Sequence, residues 1–329
     1  MGFGMAMEIQ NSNILVLATG GSIAQTSPDA PTLTGKSLLD AIPELQNKTA
    51  IAVEQISQVS SPDITSDNWL SLAHRINMAD ADEKVHGIVV THGTDTLEET
   101  AFFLHLTVKT AKPVVVVGAM RRPYSLGADG AANLRDGIVV AGWPEARGRG
   151  VLVVLNSEIH SARDVAKTTF NLDAFKSRDF GILGQMVGGR PCFYRRIERR
   201  HTLDTAFSSD LPRLPRVAIV YSHVGVTPDV LEAVASSGYE GVVWAGTGSG
   251  SLPLAITPAA SALVKNGLAF LRSSRVNSGH VKRNDEVDDD ALGFITGGSL
   301  NPQKARILLM LSLTQTRDPV KIQELFDTH

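Results

Sequence analysis

Unbroken runs of branched apolar residues recur along the chain, at residues 14–17, 88–90, 114–117 and 151–155, each soon giving way to Gly, Thr or Asn. An apolar run without alternation marks a strand buried on both faces, as in a parallel sheet. Between these runs the apolar positions take up helical period. Trp69, Leu72, Ala73 and Ile76 follow the capping residues Thr65 and Ser66, and Leu97, Ala101, Leu104 and Val108 form a second stripe. Alternation of strand and helix at this spacing predicts an α/β fold, a doubly wound and mostly parallel sheet whose strand ends carry the ligand. The chemistry is therefore to be sought just after the apolar runs.

The pattern breaks at residues 199–215, RRHTLDTAFSSDLPRLP, a polar, proline-containing stretch that reads as a linker. Apolar runs resume at 217–220, 242–245 and 268–271, with helical intervals and a closing segment, NPQKARILLMLSLTQ, that predicts a packed helix. The expected organisation is a larger N-terminal domain over 1–198 and a smaller parallel α/β domain over 216–329. The chain shows no internal repeat and no low-complexity tract.

Composition narrows the partners. With 43% apolar and 20% charged residues in 329, the chain reads as an ordinary globular protein. Its 31 basic and 34 acidic residues leave a formal charge of -3, which offers no large field to nucleic acid or an anionic membrane. A small neutral or zwitterionic partner fits better. The single cysteine, Cys192, cannot form an intramolecular disulfide, and the nine histidines never fall into an HExxH spacing. No metal and no cofactor are expected. The opening segment MGFGMAMEIQNSN lacks the basic start and apolar stretch of a secretory signal, and no segment reaches the ~20 apolar residues of a membrane span. The expectation is a cytoplasmic protein, or a periplasmic one whose signal has been removed.

The first run leads into Ala18-Thr19-Gly20-Gly21-Ser22-Ile23-Ala24, which sets a hydroxyl at a strand end where two glycines let backbone N–H groups approach a ligand. The plainer reading is a tight turn or a phosphate loop, although the segment is neither a GxGxxG nor a P-loop. The run ending at Val90 leads into Thr91-His92-Gly93-Thr94-Asp95-Thr96-Leu97, so Thr94 and Asp95 stand between a strand end and a helix start. Thr and Asp are also favoured helix caps. Two hydroxyl-bearing strand ends in one sheet tip the balance towards chemistry.

The motifs ATGGSIA (18–24) and THGTDTLEETA (91–101) resemble the two signatures of the bacterial type II L-asparaginases and glutaminase-asparaginases. Further matches follow in order: KPVVVVGAM at 112–120, RDVAKT at 163–168, RSSRV at 272–276, EVDD at 286–289 and LNPQKAR at 300–306. The resemblance implies hydrolysis of L-asparagine to L-aspartate and ammonia through a threonine acyl-enzyme. It assigns Thr19 as the nucleophile and Thr94, Asp95 and Lys167 as a second group that handles protons or activates water. Ser61 and Asp95 would hold the α-carboxylate and α-amino group of the substrate, with Pro62 and Ser251 also lining the pocket. Backbone near Thr94 and Ala119 would orient the amide and receive the oxyanion. Glu286 would reach the α-ammonium from a neighbouring subunit, in a homotetramer built as a dimer of intimate dimers with shared active sites.

These roles agree with elementary chemistry. A neutral threonine hydroxyl needs a base or a proton relay before it attacks. Both ends of a zwitterion must be paired in a dry pocket, which suits two acidic residues around one ammonium. Taken alone, Lys167 reads as a surface residue and Glu286 as part of the solvated acidic run 285–290.

The chain also departs from the family pattern. Residues 25–35 contain no tyrosine, whereas most relatives carry one in this lid loop. Pro62 stands where relatives commonly have glutamine. Ser251, in AGTGSGS, replaces an asparagine of some strict asparaginases, and relatives with serine there tolerate glutamine as substrate better. Thr110 occupies the place of a half-cystine in some secreted relatives. Competing readings are a glutaminase-asparaginase, a transamidation subunit, an amino-acid sensor that has lost catalysis, and a Rossmann-like nucleotide binder.

Overall fold

The unbroken apolar runs form the buried centre of one sheet. In the computed structural model, which describes residues 13–21, 42, 45 and 49–329, the chain divides into two units, Met1–Asp210 and Leu211–His329. Five parallel strands make the heart of the first: β1 (Asn13–Gly20), β2 (Ala50–Val59), β3 (Val85–Thr91), β4 (Val114–Val117) and β5 (Val151–Leu155). They lie in the order β2-β1-β3-β4-β5. Both β4 and β5 are buried at every position, as a strand covered on both faces should be. Strand β6 (Glu158–Ser161) turns back antiparallel on β5, a separate hairpin follows as β7 (Ala166–Lys167) and β8 (Phe175–Lys176), and β9 (Gly184–Val187) and β10 (Arg190–Phe193) extend the main sheet antiparallel beyond β6. The apolar-run reading misses β2, because an edge strand, AIAVEQISQV, mixes polar with apolar positions and keeps none of its residues fully buried.

The predicted helices form where their stripes lie. Helix α1 (Ser66–Asp80) starts at Thr65, whose side chain accepts from Asn68 N while the Asn68 side chain accepts from Thr65 N. This reciprocal cap satisfies two of the open donors at a helix start. The helix buries Trp69, Leu72, Ala73 and Ile76, the stripe seen in the sequence. Helix α2 (Leu97–Thr107) is buried on all sides, which accounts for Phe102, Phe103 and Leu106 lying outside its predicted stripe. Helix α3 (Gly130–Ala141) covers β3, β4 and β5. Among the residues read as a linker, Thr202, Thr205 and Phe207 are buried, and Thr205 donates to Leu106 O at 2.7 Å.

The second unit holds a four-stranded parallel sheet, β11 (Val217–Tyr221), β12 (Gly241–Gly246), β13 (Ala269–Ser274) and β14 (Ile295–Thr296), in that order. Helices α4 (Asp229–Ser236), α5 (Ile256–Lys265), α6 (Asp289–Leu292), α7 (Pro302–Ser312) and α8 (Pro319–Thr328) accompany it. Trp244, Phe270 and Phe294 anchor its core. The fold is α/β with a larger, mostly parallel N-terminal sheet and a smaller parallel C-terminal one, as expected. Among the described residues no helix is long and apolar enough to cross a membrane.

One feature of the topology locates the site. Strand β1 pairs with β2 on one side and β3 on the other, so the winding direction reverses between β1 and β3. In doubly wound sheets the carboxyl ends of the strands at such a reversal leave a crevice for ligand.

Candidate active site

Three turns meet at that crevice with no room for side chains between them. A Cβ on Gly21 would lie 2.4 Å from Gly93 N, and one on Gly93 would lie 2.8 Å from both Cβ and Oγ of Ser61. Gly20 and Gly21 also have φ of 100° and 84°, which only glycine adopts without strain. The TGGS and THGTD motifs therefore need their glycines so that the ends of β1 and β3 and the turn after β2 can touch. Thr19 adds a hydrogen bond, its Oγ1 donating to Thr91 O at 2.8 Å, and is 1% exposed.

Ser61 opens a short 3-10 turn, Ser61–Asp63, in which the exposed Pro62 costs no hydrogen bond because first-turn N–H groups have no partner within such a helix. The Asp95 main-chain N–H donates to Ser61 Oγ at 3.2 Å, and Thr96 Oγ1 donates to Ser61 O at 2.7 Å. Lys167, carried in on β7, places Nζ 2.9 Å from Thr94 Oγ1 and 2.7 Å from Asp95 Oδ1. Ser61, Asp95, Lys167 and Thr94 thus form one connected chain. The Thr94 residue is buried, whereas the Asp95 side chain is 61% exposed and free to meet a ligand with its outward face. An ion pair this open contributes only ~0–1 kcal/mol to stability, so its main effect is to hold the lysine on the threonine.

Ala119 follows β4 in a turn fixed from α3. Asn133 Nδ2 donates to Gly118 O at 2.9 Å, and the Asp129 carboxylate accepts from the main-chain N–H groups of Met120 and Arg121 at 2.9 and 2.8 Å. Sequence reasoning passed over Asp129 and Asn133. The signal was present as two polar residues four apart at the start of an apolar helix.

Sequence reasoning also passed over His92. It is wholly buried, with Nδ1 2.7 Å from Gly93 O and Nε2 2.9 Å from Thr100 Oγ1, which in turn accepts from Trp69 Nε1 at 2.8 Å. A nitrogen facing a carbonyl must carry the proton, so Nδ1 donates and Nε2 accepts from Thr100. The chain of bonds braces the Gly93-Thr94-Asp95 turn from behind. Burial lowers the His92 pKa from 6.5 to about 4, against the opposing pull of the Gly93 carbonyl. Above pH 6.5 the imidazole is neutral in folded and unfolded chains alike. As pH falls towards 4 the unfolded chain takes up a proton that the folded chain refuses, so stability is lost across that window, by roughly 3 kcal/mol in all. Denaturant titrations at several pH values between 4 and 7 should show a His92→Gln protein with a pH slope shallower by about one proton. Equal slopes for the two proteins would rule this out.

Two of the expected residues belong to the second unit. Ser251 ends a turn in which its N–H donates to Thr247 O at 2.9 Å and its carbonyl accepts from Trp244 Nε1 at 3.1 Å. Glu286 is exposed on the segment before α6. The first unit brings Thr19, Ser61, Pro62, Thr94, Asp95, Ala119 and Lys167 to one end of its sheet. The lid segment 25–35, and with it the missing tyrosine, lies outside the described residues, as does Ser22. Thr110 donates to the Asp80 carboxylate, and Cys192 is a free, exposed thiol. Among the described residues no three His, Cys, Asp or Glu side chains gather in a way that could hold a metal ion.

Two family models match the chain, "Asparaginase, N-terminal" over residues 13–199 and "Glutaminase/Asparaginase C-terminal domain" over residues 216–326. The chain belongs to the asparaginase family. It is 43% identical to the probable periplasmic L-asparaginase of Haemophilus influenzae, over 99% of this chain and 96% of that protein. It is 41% identical to the glutaminase-asparaginase of Pseudomonas fluorescens biotype A, over 96% of this chain and 90% of that protein. The crystal structure of a probable cytoplasmic L-asparaginase from Campylobacter jejuni superposes with a TM-score of 0.92 at 43% identity, covering 97% of this chain and 100% of that one. The asparaginase-family relatives thus carry names from both the periplasm and the cytoplasm. In this asparaginase-family chain the two signature motifs are the segments that touch at the strand-order reversal, through Gly21 and Gly93.

Proposed function

We propose that the chain hydrolyses the side-chain amide of L-asparagine, giving L-aspartate and ammonia through an ester formed on a hydroxyl at the end of β1. The observation that carries this reading is the connected chain of Ser61, Asp95, Lys167 and Thr94 at the strand-order reversal in a member of the asparaginase family. The attacking oxygen bonds to the amide carbon, and the amide nitrogen leaves as ammonia after gaining a proton. Water then attacks the ester, and the enzyme hydroxyl departs with a proton. Thr94 and Lys167 move the proton in one or both halves. Asp95 meets the α-ammonium and Ser61 the α-carboxylate, with Pro62 beside it. Backbone at Thr94 and Ala119 receives the oxyanion. Ser251 and Glu286 complete the pocket, with Glu286 supplied by a neighbouring copy in a homotetramer built as a dimer of intimate dimers.

The resemblance assigns the attack to Thr19. Thr19 is buried and its hydroxyl donates to Thr91 O, which holds the oxygen at the end of β1. A peptide carbonyl cannot take a proton away at neutral pH, so this bond is exchanged for a proton acceptor when the oxygen attacks.

Ammonia release from L-asparagine and L-glutamine, measured side by side, tests the activity. Turnover of asparagine is expected. A glutamine rate close to it would assign a glutaminase-asparaginase, as the serine at position 251 suggests. A folded protein that releases ammonia from neither amide would overturn the reading.

A further inference from the structure

Arg272 stands among the largest fully buried side chains of the protein although it is charged. It lies on β13, flanked by Leu271 and Ser273, and forms a two-pronged pair with Asp289, Nε to Oδ1 at 2.6 Å and Nη2 to Oδ2 at 2.7 Å, both side chains being 0% exposed. That pair neutralises the charge, but the guanidinium does more. Nη1 donates to the carbonyls of Ser249 and Gly250 at 3.3 and 3.2 Å, and Nη2 donates to Lys282 O at 3.1 Å. One planar group thereby ties together the turn that leads into Ser251, the start of the loop that carries Glu286, and the residue that ends that loop at α6.

The loop is closed on its other side as well. Asp289 Oδ2 accepts from Asn284 N at 2.8 Å, and Asn284, at φ 54°, holds Asp290 through both ends of its amide, at 3.1 and 2.6 Å. Glu286 stands exposed between these clamps. A buried ion pair is no more stabilising than an apolar pair of the same size, so the core alone gives no reason for an arginine here. A planar fork that pairs with a carboxylate through two nitrogens and still reaches carbonyls on two separate segments is beyond any apolar residue, and beyond the single nitrogen of a lysine at these positions.

We propose that Arg272, with Asp289, is a positioning residue that sets the spacing of Ser251 and Glu286 and so the recognition of the amino-acid end of the substrate. This rests on the reading above in which those two residues meet the substrate. Arg272→Lys keeps a cation beside Asp289 but loses the reach to Ser249, Gly250 and Lys282. Its KM for L-asparagine should rise about tenfold while kcat changes less than about threefold. Its preference for L-asparagine over succinamic acid, the same amide without the α-ammonium, should fall by a similar factor. Glu286→Gln, assayed in parallel, reports on the underlying reading, and the double variant should be no worse than about the poorer single one.

A folded Arg272→Lys protein with unchanged KM and preference, alongside a Glu286→Gln protein with raised KM, overturns the proposal and leaves the placement of Glu286 intact. If Glu286→Gln leaves KM unchanged, it is that placement which fails, and the proposal falls with it. Should Arg272→Lys not fold, Asn284→Ala loosens the same loop from an exposed position. A raised KM there supports the proposal and an unchanged one overturns it.

Discussion

Lys167→Met is expected to give a folded protein whose kcat/KM for L-asparagine falls by about 10²–10⁴, the usual span for loss of a positioned proton-transfer group. The geometry makes the two halves of this expectation separable. Lys167 Nζ bridges Thr94 Oγ1 at 2.9 Å and Asp95 Oδ1 at 2.7 Å, so its removal takes away the nitrogen that, among the described residues, hydrogen-bonds the Thr94 hydroxyl. The pair it forms with Asp95 is more than half open on the carboxylate side, and such pairs contribute ~0–1 kcal/mol. The melting temperature should therefore move by no more than about 4 °C. Thr94→Val, which deletes the partner hydroxyl at nearly constant volume, should fall to a similar rate, and the double variant should be little slower than either single one, because residues acting as a unit do not add. Retention of kcat/KM within about threefold in Lys167→Met would leave the lysine as a structural prop and would require another group to handle the proton.

Lys167 also shows where sequence reasoning runs out. The central strands were legible because burial on both faces demands an unbroken apolar run, and β1, β3, β4 and β5 all fall on such runs. Helix α1 was legible from its stripe and its Thr65 cap. Edge strand β2 was not, because its neighbour covers one edge only and polar residues are tolerated along it. The turn from Thr91 to Asp95 could be placed at a strand end by pattern alone. The approach of Lys167 could not, since 73 residues separate it from Thr94 and a two-residue strand in a separate hairpin delivers it. No periodicity encodes such a contact, and only the family resemblance brought Lys167 into the site. His92 was hidden for a different reason. Its partners Trp69 and Thr100 sit on two different helices, so the hydrogen-bond chain exists only after α1 and α2 have packed.

The same limit bears on the nucleophile, because the TGGS motif presents two hydroxyls, Thr19 and Ser22, and pattern alone does not choose between them, whereas the family resemblance assigns Thr19. Thr19→Ala is expected to lower asparagine turnover by at least about 10³-fold with the protein still folded, whereas Thr19→Ser and Ser22→Ala should keep most of it. Thr19 is held where the ends of β1 and β3 meet. Its oxygen is buried, donates to Thr91 O, and belongs to a turn in which Gly21 N also donates to Val59 O at 3.2 Å and Ser57 Oγ donates to Thr19 O at 3.2 Å. Such a residue is tied on both sides to the strands that flank β1, and a serine in its place can still make the Thr91 bond. Thr19→Val cannot, and should lose activity together with about 0.5–1.5 kcal/mol of stability, the net contribution of one such hydrogen bond. Acid quenching during turnover, followed by fragmentation of the peptide that carries residues 18–24, would show which oxygen bears the aspartyl ester. An ester on Ser22, or full activity in Thr19→Ala, would move the attack to Ser22 and leave Thr19 as the residue that pins β1 to β3.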